Sequence, residues 1–172
     1  MTLVEVLVAM FLMLFVGAVV LTALVNLQQV FRTNSGEARG LADVRTVVER
    51  LGRDIRDAKG VETGATSSQL TLWVDYNSNY RRDISSEIIT WKIVNPSGGS
   101  CAAVGHCNVV RTVNAVDTVV AATIVQDIGF SYDQAAPATR LVSVNMTYNA
   151  AAAGSGSGSR TVSFQDRLRN VE

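Results

Sequence analysis

From Val6 to Val25 the chain reads VLVAMFLMLFVGAVVLTALV, 20 residues without a charge. Only Gly17 and Thr22 break the apolar run. As an α-helix rising ~1.5 Å per residue it is ~30 Å long, the thickness of a bilayer's hydrocarbon core. A helix apolar on all sides needs lipid or a bundle of other helices around it. The run is longer than a usual signal-peptide core, and no A-x-A-like cleavage site follows it. The first basic residue, Arg32, lies on its far side. Two explanations are open: a basic leader already removed, or an orientation set in another way.

Of the 15 Lys+Arg and 15 Asp+Glu residues, only Glu5 lies in residues 1–31. Residues 32–172 therefore have an ordinary soluble charge density, and the chain reads as an apolar segment joined to a soluble domain. The net charge of zero argues against nonspecific nucleic-acid binding as the main role. High hydrophobic content without net charge argues against disorder.

Glu5 is the odd residue in the apolar segment. A carboxylate deep in a membrane span costs roughly 2.5–3.5 kcal/mol. One reading places it near the helix start, reaching the interface and interacting with the helix dipole. The other pairs it with a cation, and the only local positive charge is the α-amine of Met1, its own or a neighbour's. The segment Met1-Thr2-Leu3-Val4-Glu5-Val6-Leu7-Val8-Ala9-Met10 resembles the mature N-terminus of type IV pilins and the pseudopilins of type II secretion. The resemblance implies that a prepilin peptidase removes a basic leader ending in Gly and that Met1 is N-methylated. It also implies that Glu5 neutralises the α-amine of an adjacent subunit as subunits enter a filament. The paired state is favourable against the alternative of two unpaired charges in low dielectric. The chain departs from many major pilins in having Thr22 where they have proline, a trait commoner in minor pilins and pseudopilins. Gly17 is then the weak helix former of the run, by about 1 kcal/mol against alanine.

Residues 26–58 continue a helical pattern. Apolar positions fall at Leu27, Val30, Phe31, Ala38, Leu41, Val44, Val48, Leu51, Ile55 and Ala58, mostly three or four apart. Arg32, Arg39, Asp43, Arg50, Arg53, Asp54 and Asp57 are assigned to the opposite face, with i,i+4 pairs Glu49–Arg53 and Arg50–Asp54. Gly36 and Gly40 are weak points, and Gly60 is a plausible stop. A helix from about Thr2 to Ala58 spans ~85 Å. A domain of the remaining residues cannot cover that length, so the first half must protrude.

Beyond Gly60 the pattern predicts strands at Gln69–Asp75, Glu87–Val94, Asn108–Val113, Thr118–Val125, Gly129–Asp133, Leu141–Asn149 and Thr161–Leu168. Turn signals are Asn95-Pro96-Ser97-Gly98-Gly99 and the GSGSGS stretch from Gly154 to Ser159, read as a flexible hairpin tip. The expected fold class is α+β: a long N-terminal helix packed on an antiparallel sheet. Its organisation is an apolar helix half over 1–31 and a globular domain over 32–172. Within the latter lie an amphipathic helix half, 32–58, and a β-rich region, 61–172. A second, broader resemblance is to J-type minor pseudopilins and the pilin fold. It rests on Glu49-Arg50-Leu51-Gly52-Arg53-Asp54-Ile55 to Ala58, the strand pair around Leu70–Val74 and Ile88–Val94, Ile128-Gly129-Phe130-Ser131-Tyr132, and Leu168-Arg169-Asn170.

Cys101 and Cys107, in C-A-A-V-G-H-C, are the only cysteines. In a domain expected outside the cytoplasm, an even pair suggests a disulfide. The small closed loop makes it worth ~2.5 kcal/mol in the chain-entropy model. The alternative, a metal held by Cys101, His106 and Cys107, lacks a fourth ligand nearby, and the expectation is no metal. His106 reads as a loop histidine. No P-loop, dinucleotide-binding or H-E-x-x-H motif is present, and the chain is read as a non-enzyme without cofactor. Asp75-Tyr76-Asn77-Ser78-Asn79 looks like the first half of a calcium loop but has Tyr80 in place of Gly and Ser86 in place of Glu, so a polar turn is preferred. Arg81-Arg82, followed by Asp83, reads as a solvated turn.

The resemblance thus implies a structural subunit of a type IV pilus or pilus-like filament. Implied partners are copies of itself in a helical filament, other pilins or pseudopilins, prepilin peptidase and an inner-membrane assembly platform. Implied locations are the cytoplasmic membrane before assembly and an extracellular pilus or periplasmic pseudopilus afterwards. Two alternatives are a minor pseudopilin at the tip of a secretion pseudopilus and a membrane-tethered binding module that does not polymerise.

Overall fold

A computed structural model describes residues 3–82, 85–99, 101, 107–149 and 158–168. One helix, α1 (Leu3–Asp57), holds 55 residues. At 1.5 Å per residue it is ~82 Å long. It passes without a break through Gly17, Gly36 and Gly40. It ends on a tightened turn, with the Ala58 N–H donating back to the Ile55 carbonyl at 3.3 Å. Gly60 is not the helix stop. It has no left-handed backbone and is the first residue of the next strand.

Seven strands follow: β1 (Gly60–Val61), β2 (Gln69–Trp73), β3 (Ile88–Val94), β4 (Cys107–Val113), β5 (Val116–Tyr132), β6 (Leu141–Asn149) and β7 (Ser159–Arg167). They form one antiparallel sheet in sequential order, so the α+β architecture is a long helix followed by a meander. Each connection joins neighbours, as short antiparallel links allow. At the β4–β5 hairpin Asn114 and Ala115 both have positive φ, 52° and 60°. That is the two-residue turn whose twist matches flanking strands.

The main departure from the strand pattern is β5. The two strands expected at Thr118–Val125 and Gly129–Asp133 are one strand of 17 residues. Its first part pairs with β4, from Val113↔Val116 to Cys107↔Val125. Its second part pairs with β6, from Val125↔Tyr148 to Tyr132↔Val142, with a register shift between Val125 and Asp127. A bulge breaks the alternation of faces without ending the strand. Past Val125, β5 has outrun β4, and the Glu62–Ser68 connection takes over that edge: the Phe130 N–H donates to the Ser67 carbonyl at 2.8 Å.

The core lies between the last third of α1 and one sheet face. Val44, Val47, Leu51, Ile55 and Ala58 are buried against Leu70, Leu72, Ile89, Trp91, Val109, Ile128, Val144 and Met146. Each fully buried aliphatic side chain contributes roughly 1.5–3 kcal/mol. The buried stripe differs slightly from the expected one. Val47 replaces Val48 at its centre, Val48 sits at the border, and Leu41 is 46% exposed. Beyond the edge of the sheet, no described residue covers the helix from Leu3 to Phe31.

Candidate membrane and assembly helix

Gly40 is buried, whereas the described side chains from Leu3 to Phe31 are all exposed. The segment Val6–Phe31 is long and apolar enough to cross a membrane and has no part buried. Leucines, valines, phenylalanines and methionines ring it on every side, including Phe11 at 71% and Met13 at 80% exposure. Such a surface is unstable in water and demands an apolar surrounding. The polar side chain inside the run is satisfied within the helix: the Thr22 hydroxyl donates to the Ala18 carbonyl at 2.8 Å. That removes the cost of an unpaired hydroxyl in an apolar medium. At Gly17 a side chain would meet nothing within 4 Å in the single chain. Glu5 lies in the first turns of α1, while its side chain and Met1 lie outside the described residues, so the Glu5 to α-amine pair stays an expectation.

The apolar segment and the domain share one helix, and three contacts clamp that helix to the sheet. Asp54 is 8% exposed, although the charge pattern assigned it to the solvent face. It accepts from Arg111 Nε at 2.7 Å, Arg111 Nη2 at 3.3 Å and Trp91 Nε1 at 2.9 Å. Burial works against the Arg111 guanidinium, but the hydrogen bond and charge of Asp54 outweigh it and hold its pKa above the ordinary arginine value. Lower on the same helix, Arg56 donates to Asp166 of β7 at 2.5 Å. One turn before Arg56, Gly52 leaves room for this pair: a Cβ there would sit 2.8 Å from Asp166 Oδ2 and 3.2 Å from Arg56 Nη1. The expected pairs Glu49–Arg53 and Arg50–Asp54 give way to Arg45–Glu49 at 2.7 Å and Asp54–Arg111. The cause is visible in the spacing. Asp54 stands three residues after Leu51 and four before Ala58, inside the apolar stripe, where only a partner from the sheet can reach it.

Cys101 and Cys107 form a disulfide, with Cα atoms 5.7 Å apart. Both thiols are thereby consumed, which removes the metal set built on them. His106 lies outside the described residues, as do Gly154–Ser157 of the serine-glycine tip. The Asp75 loop is a self-satisfied polar turn. The Asn79 and Tyr80 amides donate to the Asp75 carboxylate at 3.2 and 3.1 Å. Arg82 does not simply face solvent but pairs with Glu62 at 3.1 Å. Two charged side chains that patterning did not flag are at the sheet itself. Arg111 reads as an ordinary outward strand residue until the helix is docked over it. Glu87 is fully buried, with Trp73 Nε1 donating to Oε2 at 3.3 Å. Comparison of the chain with protein-family models, with curated proteins and with solved structures finds no match.

Proposed function

We propose that the chain is a subunit of a helical, pilus-like filament, held in the cytoplasmic membrane by the apolar half of α1 before assembly. The observation that carries this reading is the unbroken passage of α1 from a fully exposed apolar segment into the domain core. A simple tether needs a span and a flexible link. Here the span is stiffly continuous with the domain, so packing one helix half sets the position of everything attached to it. Lipid and a helix bundle are both apolar, and moving the segment from one to the other need not forfeit its burial. A head-to-tail contact that does not close on itself then yields an open filament. Glu5 would fix the register, because a carboxylate without its amine partner penalises misplaced neighbours.

The unbroken helix at Thr22 supports one form of this reading, a minor pilin or pseudopilin working beside other subunits. The test is Glu5→Ala in the producing cell. The expected result is normal membrane content of the subunit with loss of its incorporation into filaments. Filaments containing the variant at normal levels would falsify the proposal. N-terminal mass spectrometry adds an independent check: N-methylated Met1 is expected, and an unprocessed N-terminus indicates a non-polymerising tether.

A further inference from the structure

Beyond α1, the exposed aromatic side chains among the described residues are Tyr76 and Tyr80, at 58% and 68% exposure. Both stand on the loop between β2 and β3, and the loop is built to hold them out. Ser78 and Tyr80 have φ of 56° and 57°, the left-handed region that a bulky side chain seldom occupies. That backbone is locked by Asp75, which takes the Asn79 and Tyr80 amides, and by Asn79 Oδ1, which takes the Arg81 amide at 2.7 Å. One cation stands near each tyrosine. Lys59 Nζ stands 4.5 Å from the Tyr80 ring centroid. Arg111 Nη2 is 3.5 Å from the Tyr76 hydroxyl.

Three nearby carboxylates are already committed, Asp75 to the loop amides, Glu62 to Arg82 and Asp54 to Arg111, while Asp57 stands exposed two residues before Lys59. Among the described residues, Lys59 and Arg81 remain the cations of this patch without a carboxylate partner. Aromatic faces are electron-rich and attract positive groups, including the polarised C–H face of a sugar ring. An arginine fork matches a carboxylate. Two free cations are few for a phosphate backbone, which proteins hold with a long basic groove. The patch also follows the C-terminal end of α1, ~80 Å along the helix from its apolar start, so an anchored molecule presents it at the far pole.

We infer that Tyr76, Tyr80, Arg81 and Lys59 form a binding site for an acidic polysaccharide. Its pyranose rings lie on the tyrosines, and its carboxylates meet Arg81 and Lys59. The inference does not depend on filament formation. Calorimetric titration of the full chain in detergent micelles with polygalacturonate, dextran and an oligothymidylate tests it. Saturable binding of polygalacturonate is expected, at least tenfold tighter than of either other polymer and weakened by salt. Tyr80→Asn, which keeps the left-handed backbone accessible, and Arg81→Gln should each weaken it about tenfold or more with unchanged thermal melting. Oligothymidylate or dextran bound as tightly as polygalacturonate, or affinity unchanged in both variants, overturns the inference.

Discussion

Asp54 illustrates how one carboxylate can be misread from its neighbours in sequence and understood from its neighbours in space. In a helix it has arginines at i−4 and i−1, and helical pairing rules select Arg50. The fold instead turns it into the sheet, where Arg111 and Trp91 supply three donors. Removing it strands a largely covered guanidinium and a buried indole N–H. Asp54→Ala should therefore cost ~3–5 kcal/mol, measured by chemical denaturation. Adding Arg111→Met to that variant should recover part of the loss, because no unpaired charge is then left in the interface. Tyr132 gives a second residue-scale prediction. Its hydroxyl donates to the Thr66 carbonyl at 2.8 Å, and burial pushes its pKa up to about 12. The folded state holds this proton more tightly than the unfolded chain, which releases it near ~10. The stabilisation is complete below the unfolded value and is lost as pH rises through the folded one. Denaturation midpoints should fall between these two values, and Tyr132→Phe should flatten that alkaline slope. At the acid end, the Leu141, Arg140 and Gln134 amides hold the Asp133 carboxyl below its ordinary value, so its contribution is present at neutral pH and lost on acidification.

The elements themselves were largely legible in the chain. Periodicity near 3.6 located the C-terminal end of α1 to within a residue, and strict alternation located β6 without error. The sheet order was not legible, because alternation tells which way a side chain faces but not which strand lies beside it. The division of β5 into two strands failed for a related reason. The bulge around Gln126 shifts the faces, and Gly129 removes a side chain just where the pattern resumes, so a continuous strand looks like two. The glycines of α1 show the same limit: Gly17, Gly36 and Gly40 read as weak points and Gly52 went unremarked, yet their surroundings are what distinguish them. Gly40→Ala brings a methyl only to 3.9 Å from the Asn149 carbonyl and should stabilise the domain by up to ~1 kcal/mol. Gly52→Ala drives its methyl into the ends of the Arg56 and Asp166 side chains, and displacing that partly exposed pair should offset most of the same gain in helix propensity, about 1 kcal/mol. Thermal melts should show a rise for Gly40→Ala and little or no rise for Gly52→Ala.

At the level of the whole molecule, the apolar helix was the most legible feature and its chemical partner the least. Twenty apolar residues announce that something must surround them, whereas the choice between lipid and sister helices depends on groups outside this chain. On the proposed reading, continuity of the helix matters for assembly and not for insertion. Gly36→Pro should leave membrane insertion and domain melting unchanged, since it falls between the apolar run and Gly40, the first buried residue of α1 among those whose side chains are described. It should lower filament yield sharply if stiff coupling positions the domains, and unaltered yield in electron micrographs would show that assembly does not use it. The same continuity has a mechanical side. A rod of 55 residues clamped at one end by packing is a lever arm: a tilt of about ten degrees at the anchored half carries the far pole through roughly 14 Å. Small changes in how the apolar halves settle against one another would thus be amplified into large displacements at the outer surface. Strain on that surface would be felt, through the same rod, at the foot of the molecule.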